Sequence, residues 1–206
     1  KEVLFPYLNG EDLNTNPDQS PSRWVINFFD WPEEKCRNEY ADCLEIVERL
    51  VKPERQRTDE NENYVLRKPL PEKWWIYADK RPKLYRTIKS LKSVLVINRH
   101  SKITTFAFQP PNVVYSDATV VFANDAFIKF SIINSSFHEI WAWKYGSTMG
   151  SGTLRYTPSD IFETLSFPQK QSMEIELPLE QIGEKYHNHR RQLMLNMQLG
   201  LTKTYN

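Results

Sequence analysis

The sequence is short of cysteine, of long apolar runs and of net charge. Its 206 residues include two cysteines, Cys36 and Cys43, which lie on one predicted helix. Their spacing suits neither a disulfide bridge nor a tetrahedral metal site, so we expect reduced thiols and an intracellular, cytoplasmic protein. No apolar run approaches the roughly 20 residues that cross a bilayer, and no signal peptide is recognisable. We therefore expect no membrane partner.

Glycine is also scarce, with six residues in the whole chain. No glycine-rich loop follows a predicted strand, as nucleotide and S-adenosylmethionine sites of doubly wound folds require. The loop 146–153 lacks the lysine of a phosphate-binding loop. His187 and His189 are two apart on a predicted helix and point to different sides, so they cannot share one metal ion. The sequence predicts no complete catalytic group, no cofactor and no metal site in this chain.

The net charge of +1 gives no overall argument for or against nucleic acid. Locally the balance is different, because residues 80–116 contain eight lysines and arginines and no acidic residue. Such a run is either the footprint of a polyanion-binding surface or the solvated side of a helix. Its members are Lys80, Arg81, Lys83, Arg86, Lys89, Lys92, Arg99 and Lys102.

The pattern of apolar residues predicts a mixed α/β domain. We expect a central mixed or antiparallel sheet with flanking helices and a C-terminal helix at one end. Strands are predicted at residues 24–29, 94–97, 104–108, 113–115, 119–122 and 153–157. Helices are predicted at residues 30–52, 71–79, 82–90, 126–145, 158–165 and 179–206.

The predicted domain covers residues 1–168. Residues 169–206 are interpreted as a linker and a C-terminal helix that leads into a missing helical region. The first residue is not methionine and the last ones fall within a predicted helix without a stop signal. We therefore expect a fragment of a longer protein.

One stretch, residues 135–160, is the candidate site. It reads as the aromatic end of a buried helix, a polar loop with three of the six glycines, a short strand and a second helix. Its side chains can donate hydrogen bonds. The loop is either an ordinary surface connection or a way to aim donors at the edge of a ligand. The donors are Ser147, Thr148, Ser151, Thr153 and Arg155.

Two alternatives belong to other functional classes. Asp18, Glu33 and Lys35 have the letters of a magnesium nuclease motif. That chemistry needs the carboxylates and the lysine to converge on the metal, whereas Glu33 and Lys35 are predicted in the first turn of a helix behind Pro32. The second alternative is a non-catalytic module that would bind protein through its aromatic residues.

Five stretches together resemble one known family. They are residues 6–14, 17–28, 45–55, 135–145 and 154–168, in the same order and over nearly the whole chain. The set is similar to the target recognition domain of large single-chain adenine-specific DNA methyltransferases. These include the type IIL and IIG restriction–modification enzymes and the related phage-defence methyltransferases.

The resemblance implies a division of labour. An upstream methyltransferase domain of the same chain would bind S-adenosylmethionine, and any nuclease, with its Mg²⁺, would also lie outside this fragment. The fragment itself would not be an enzyme. It would grip double-stranded DNA, read the base sequence and help to extract the target adenine from the stack. The protein would be bacterial or archaeal.

The same resemblance implies base-reading positions at residues 147–155 and in the neighbourhood of residues 116–119. The chemistry of the side chains fits a DNA interface. Arg155 would make a bidentate contact with guanine, Thr148 and Thr153 would meet thymine, and Asn98 would pair with adenine. The alternative for Arg155 is a salt bridge to Asp160. The expected base-reading set is Thr119, Ser147, Thr148, Ser151, Thr153 and Arg155. The expected phosphate-binding set is Lys80, Arg81, Lys83, Lys89, Lys92, Arg99, Lys102 and Lys144.

Overall fold

The mixed α/β class is confirmed by a computed structural model, which describes residues 2–150, 152–168 and 173–205. The strands are β1 (Leu4–Leu8), β2 (Arg23–Ile26), β3 (Val94–Asn98), β4 (His100–Ser101), β5 (Ala107–Gln109), β6 (Val114–Tyr115), β7 (Thr119–Phe122), β8 (Ser147–Met149) and β9 (Thr153–Arg155). The helices are α1 (Gly10–Thr15), α2 (Glu33–Glu39), α3 (Ala41–Leu50), α4 (Lys52–Arg55), α5 (Pro82–Ile88), α6 (Phe127–Ile133), α7 (Ser136–Tyr145), α8 (Pro158–Ile161), α9 (Met173–Met197) and α10 (Leu201–Thr204).

The chain forms two compact units. The first contains Lys1–Phe5 and Trp24–Arg81, and the second contains Pro6–Arg23 and Pro82–Asn206. The predicted functional boundary at residue 168 is a different division and stays a prediction. Among the described residues, no helix is both long and apolar enough to cross a membrane.

The first unit is built around an apolar core under helices α2 and α3. Its buried members are Val3, Phe28, Cys36, Leu44, Val47 and Trp74. The single helix predicted for residues 30–52 is wrong, because the chain leaves helical geometry at Tyr40, with φ −140° and ψ 46°. The Tyr40 ring stacks on Trp31 instead. The two cysteines therefore lie on separate helices, and the helix predicted at residues 71–79 consists of turns.

The central sheet of the second unit has the order β5-β3-β7, with antiparallel pairing throughout. Strand β3 is buried from Val94 to Ile97 because each of its faces meets its own core. Val94 and Val96 pack with Leu8, Ile88 and Met194. The alternate residues, Leu95 and Ile97, pack in the second cluster, which contains Phe106, Phe130, Leu154 and Tyr156. A strand covered on both faces reads as a continuous apolar run.

A smaller sheet continues from this core. Only Arg99 separates β3 from β4, and β4 begins a second antiparallel sheet of order β4-β9-β8. The core strand therefore leads directly into the sheet that carries the candidate site. Elsewhere in the unit, β1 pairs in parallel with β6, with Tyr7 opposite Val114.

The long helix predicted at residues 126–145 is interrupted. Helix α6 ends at Asn134, and Ser135 caps α7 by accepting a hydrogen bond from the His138 backbone N–H at 3.3 Å. Asn134 also accepts the backbone N–H of Phe106 at 2.9 Å. Serine is a favoured N-cap, so the polar Asn-Ser-Ser sequence restarts the helix although the apolar spacing continues across it.

Helix α9 packs along α6 in the second unit. At Gly183 an added Cβ would lie 2.4 Å from the Phe127 carbonyl oxygen, so only glycine permits this approach. The buried Arg190 donates from Nη2 to the Phe106 carbonyl at 2.7 Å. The helix begins at Met173 and includes Pro178, earlier than the predicted start at residue 179. The part of the predicted linker at residues 169–172 lies outside the described residues.

Candidate nucleic-acid interface

The candidate site is a β-hairpin that follows α7 directly. Strands β8 and β9 pair with Ser147 opposite Arg155, Thr148 opposite Leu154 and Met149 opposite Thr153. The connection contains Gly150 at φ +60° and Gly152 at φ +92°. Glycine adopts such positive φ values without steric cost. The first part of the predicted loop, Ser147–Met149, is therefore a strand.

The register decides which side chains share a face. Residues directly opposite in an antiparallel pair point to the same side, and so do residues two apart on one strand. His100 on β4 also lies opposite Arg155. Ser147, Met149 and Arg155 are exposed, and the other two members are half-buried. We call this set the hairpin face: His100, Ser147, Met149, Thr153 and Arg155.

The other side of the same sheet meets the protein interior. Leu154 and Ser101 lie opposite each other and are both buried. Thr148 is the cross-strand partner of Leu154, so it points to this side, although it is itself exposed at the sheet edge. The expected base-reading residues of the hairpin therefore divide between two faces. Ser147, Thr153 and Arg155 lie on the outer face, whereas Thr148 points to the inner face and is not proposed as a base reader.

The side chain of Arg155 is exposed. Within residues 2–150, 152–168 and 173–205, its guanidinium makes no ion pair and no side-chain hydrogen bond. The salt bridge to Asp160 considered from the sequence is not among the ion pairs of the described residues, and Asp160 accepts the hydroxyl of Ser159 at 2.9 Å. The guanidinium donors of Arg155 therefore remain available to a ligand.

Thr119 and Asn98, which were also expected to contact bases, are engaged inside the protein. Thr119 is buried, and its hydroxyl donates to the Ser116 carbonyl at 2.8 Å. A side chain without exposed surface cannot meet a base edge, so we remove Thr119 from the set. Asn98 lies in β3 and donates to the Gly10 carbonyl at 3.2 Å, which leaves its amide engaged inside the unit. Ser151 lies outside the described residues.

The basic residues of the second unit are mostly exposed. Lys83 lies on α5, whose Leu84 and Ile88 face the core, and Lys144 lies in the last turn of α7. In the part of the chain that the structure describes, none of the exposed lysines of this unit in the predicted set makes an ion pair. Arg99 differs, since its Nε donates to the Asp117 carbonyl at 2.8 Å. The exposed lysines are Lys83, Lys89, Lys92, Lys102 and Lys144.

Lys80 and Arg81 belong to the first unit and have acidic partners. Lys80 pairs with Asp30, and Arg81 Nε lies 2.9 Å from a carboxylate oxygen of Asp79. A phosphate would have to compete with these carboxylates. Both residues are therefore weaker candidates for DNA contact than the exposed lysines. The sequence alone did not distinguish them from the other basic residues.

A buried pair lies behind the hairpin face. Tyr156 follows Arg155, and its hydroxyl lies 3.0 Å from Nε2 of His138. Burial lowers the pKa of His138 to about 4, and burial raises the pKa of Tyr156. The Tyr156 backbone N–H donates to the Arg99 carbonyl at 2.7 Å. This neutral pair anchors the strand and is too buried to act as an acid or base on a substrate.

The residues of the nuclease alternative are all engaged locally. Glu33 pairs with Arg37 at 2.8 Å, and the Lys35 ammonium lies 3.8 Å from the centre of the Trp31 ring. Asp18 accepts the Ser20 backbone N–H at 3.0 Å, and this hydrogen bond lowers the pKa of Asp18. Among the described residues, no group of three or more His, Cys, Asp and Glu side chains is placed to hold a metal ion.

His100 and Met149 are members of the hairpin face that the sequence did not indicate as site residues. Both follow from the register, since they lie opposite Arg155 and Thr153. The sequence carries no clear strand signal in this segment, since Ser147 and Thr148 are both polar and the adjacent glycines make the segment resemble a loop.

Sequence comparison and structural comparison give different results. No protein-family model matches the sequence, and no curated protein matches it. Among solved structures, the type IIL restriction–modification enzyme MmeI in complex with DNA aligns with a TM-score of 0.64 and 14% sequence identity. The chain shares its fold with part of MmeI. The alignment covers 89% of this chain and 23% of the MmeI chain.

The similarity to MmeI covers most of the chain. The resemblance to restriction–modification enzymes is therefore supported at the level of fold. At this identity the likeness does not carry residue roles from one protein to the other.

Proposed function

We propose that this chain is the sequence-specific double-stranded DNA recognition domain of an adenine-specific DNA methyltransferase or bifunctional restriction–modification enzyme. The observation that carries the proposal is the unpaired Arg155 on an exposed hairpin face, within the part of the chain that the structure describes. It is supported by a fold shared with MmeI, whose structure contains DNA.

A hairpin of this kind suits the DNA major groove. The groove admits a two-stranded β-ribbon, and each base pair presents a distinct set of donors, acceptors and methyl groups there. Arg155 would donate to O6 and N7 of a guanine. Ser147 lies opposite Arg155, and Thr153 precedes Arg155 by two residues on β9. Both add hydroxyl groups that donate and accept hydrogen bonds. These three residues, with Ser151 kept as a prediction, form the proposed base-reading set.

Affinity would come mainly from phosphate contacts. Lysines neutralise phosphates and release counterions, so binding weakens steeply as salt rises. Arg99, held by the Asp117 carbonyl, would offer its remaining donors in a fixed direction. The proposed phosphate-binding residues are Lys83, Lys89, Lys92, Arg99, Lys102 and Lys144.

Methylation itself would take place elsewhere in a longer protein. Gly150 and Gly152 connect two strands of a hairpin, whereas an S-adenosylmethionine site of a doubly wound fold needs a glycine-rich loop between a strand and a helix. S-adenosylmethionine would therefore be bound by an upstream methyltransferase domain. The role proposed for this chain is to bind DNA and to discriminate between base sequences. The upstream domain would flip and modify the target adenine.

A second proposal concerns the outer side of α7. Phe137 and Ile140 are 63% and 69% exposed, and the rings of Trp141 and Tyr145 are 4.3 Å apart. Exposed apolar surface of this kind marks protein interfaces more often than an isolated exposed leucine does. It supports a protein-binding role for α7, either beside DNA recognition or instead of it.

Fluorescence anisotropy with labelled DNA tests the leading proposal. The purified chain should bind a duplex mixture with an affinity whose logarithm falls linearly with the logarithm of salt concentration. It should also bind one selected duplex more tightly than a scrambled duplex. Mg²⁺-dependent cleavage of the same DNA would favour the nuclease alternative. Absence of duplex binding at low salt would contradict the proposal and favour the protein-binding role.

A further inference from the structure

Met149 is an apolar side chain on an otherwise polar surface. It is 58% exposed and lies on the hairpin face beside Ser147 and Arg155. Among the described residues, it belongs to none of the three apolar clusters of the protein. Its exposure therefore does not result from a partly filled core, and its side chain is free to meet a ligand.

The partner of Met149 across the ladder is Thr153. Side chains directly opposite in an antiparallel pair have Cβ atoms about 4.5–5.5 Å apart. At this separation the thioether end of methionine can reach the methyl group of threonine, which would give one small apolar patch. The threonine hydroxyl adds a group that both donates and accepts hydrogen bonds.

The position of this patch relative to Arg155 is also informative. Thr153 and Arg155 are two residues apart on β9, which corresponds to about 6.6–6.8 Å along a strand. Successive base pairs are about 3.4 Å apart. If β9 runs along the groove, the patch and the guanidinium address bases about two steps apart. One strand then presents an apolar contact and a charged donor to the same groove.

We propose that Met149 and Thr153 form a site for the C5-methyl group of a pyrimidine in duplex DNA. The inference rests on the proposed function of the hairpin face. The C5-methyl group is the apolar feature of the major groove, and threonine methyl groups are among its usual partners. Unbranched methionine adapts its shape to such a small group. Thymine and 5-methylcytosine carry the same group, so both are sources of this chemistry.

The test uses the full 206-residue chain and a duplex enriched from a randomised library. Each thymine of that duplex is replaced in turn by deoxyuridine, which lacks only the methyl group. Each cytosine is replaced in turn by 5-methyldeoxycytidine. Affinities are measured by anisotropy for the wild type, Met149→Ala, Met149→Leu and the control Thr148→Ala, which alters the neighbour on the other side of the sheet.

For the wild type we expect one position at which removal of the methyl group weakens binding by about 3- to 10-fold, as loss of one buried methyl group does. A gain of similar size on cytosine methylation would identify 5-methylcytosine as the source instead. Met149→Ala should lose this dependence, whereas Met149→Leu and Thr148→Ala should keep it.

Two results would overturn the inference while leaving the proposed function intact. One is tight, sequence-specific binding with no methyl dependence at any position. The other is a methyl dependence that Met149→Ala retains. Failure of the wild type to enrich any duplex would overturn the proposed function and this inference together. Circular dichroism of each variant excludes misfolding, which is not expected for so exposed a residue.

Discussion

The Tyr156 hydroxyl lies 3.0 Å from Nε2 of His138, on the buried side of the chain segment whose outer side carries Arg155. Leu154 and Tyr156 point inward, and Thr153 and Arg155 point outward. The strand thus joins a neutral buried pair to an exposed charged side chain. The candidate site is therefore directly backed by the protein core.

Two buried histidines, His138 and His187, predict a dependence of stability on pH. Burial lowers the pKa of His138 to about 4, and burial lowers the pKa of His187 to the same value. An unfolded histidine has a pKa of about 6.5. Between these values the unfolded chain binds more protons than the folded chain, so stability should fall as the pH drops from 6.5 towards 4.

Urea denaturation at pH 7 and at pH 5 measures this effect. His138 should account for a loss on the order of 1–3 kcal/mol in the free energy of unfolding. His138→Gln cannot take up a proton in this range, so its stability should fall less between the two pH values. An equal fall in the variant and the wild type would show that His138 is not the group responsible.

Arg155 is expected to matter for recognition and not for folding. It has no internal partner within the described residues, so Arg155→Ala should leave the midpoint of thermal unfolding unchanged. A bidentate arginine–guanine contact contributes about 1–3 kcal/mol of discrimination. Replacing the contacted guanine by 7-deazaguanine, which lacks the N7 acceptor, should therefore weaken wild-type binding. Arg155→Ala should be indifferent to that replacement, and Arg155→Lys should recover only part of the discrimination because lysine lacks the planar fork.

The proposed phosphate contacts predict a change in salt dependence. Removal of one lysine–phosphate pair should reduce the slope of log K against log salt by about 0.9. Lys83→Ala, Lys89→Ala and Lys102→Ala test exposed lysines without acidic partners among the described residues. Lys80→Ala is the matched control, because Lys80 pairs with Asp30. Equal slopes for all four variants and the wild type would remove these lysines from the interface.

The substitution Gly183→Ala tests whether close packing or helix propensity dominates stability at this position. Alanine is about 1 kcal/mol more favourable than glycine inside a helix. At this position, however, the new Cβ would lie 2.4 Å from the Phe127 carbonyl oxygen. We expect the clash to dominate and to destabilise the protein by about 1–3 kcal/mol, the usual cost of overpacking. The exposed neighbour Glu184→Ala should change stability little, and a stabilised Gly183→Ala would contradict the close packing of α6 and α9.

The sequence predicted the elements whose apolar pattern is unambiguous. Val94 to Ile97 form a continuous apolar run, and β3 is buried on both faces. The sequence pattern did not reveal the break between α6 and α7 at Asn134, because the apolar spacing continues from Ile133 to Phe137. There the local hydrogen bonds of Asn134 and Ser135 prevail over the periodicity.

The candidate site was predicted as a segment, and its geometry was not. Which side chains share a face depends on strand register, and a shift of one residue exchanges the faces. Sequence alone could not separate Ser147 from Thr148, which the register places on opposite sides. Nor could it show that Thr119 is buried, because that follows from the packing of β7 against β3.

The central claim is that the hairpin face reads duplex DNA. Selection from a randomised duplex library tests it most directly, with the wild type, Arg155→Ala, Thr153→Ala and Thr148→Ala carried through in parallel. We predict that the wild type enriches one motif, that the first two variants lose base preference at positions within it, and that Thr148→Ala enriches the wild-type motif. The same motif from all four proteins, or none from the wild type, would contradict the claim.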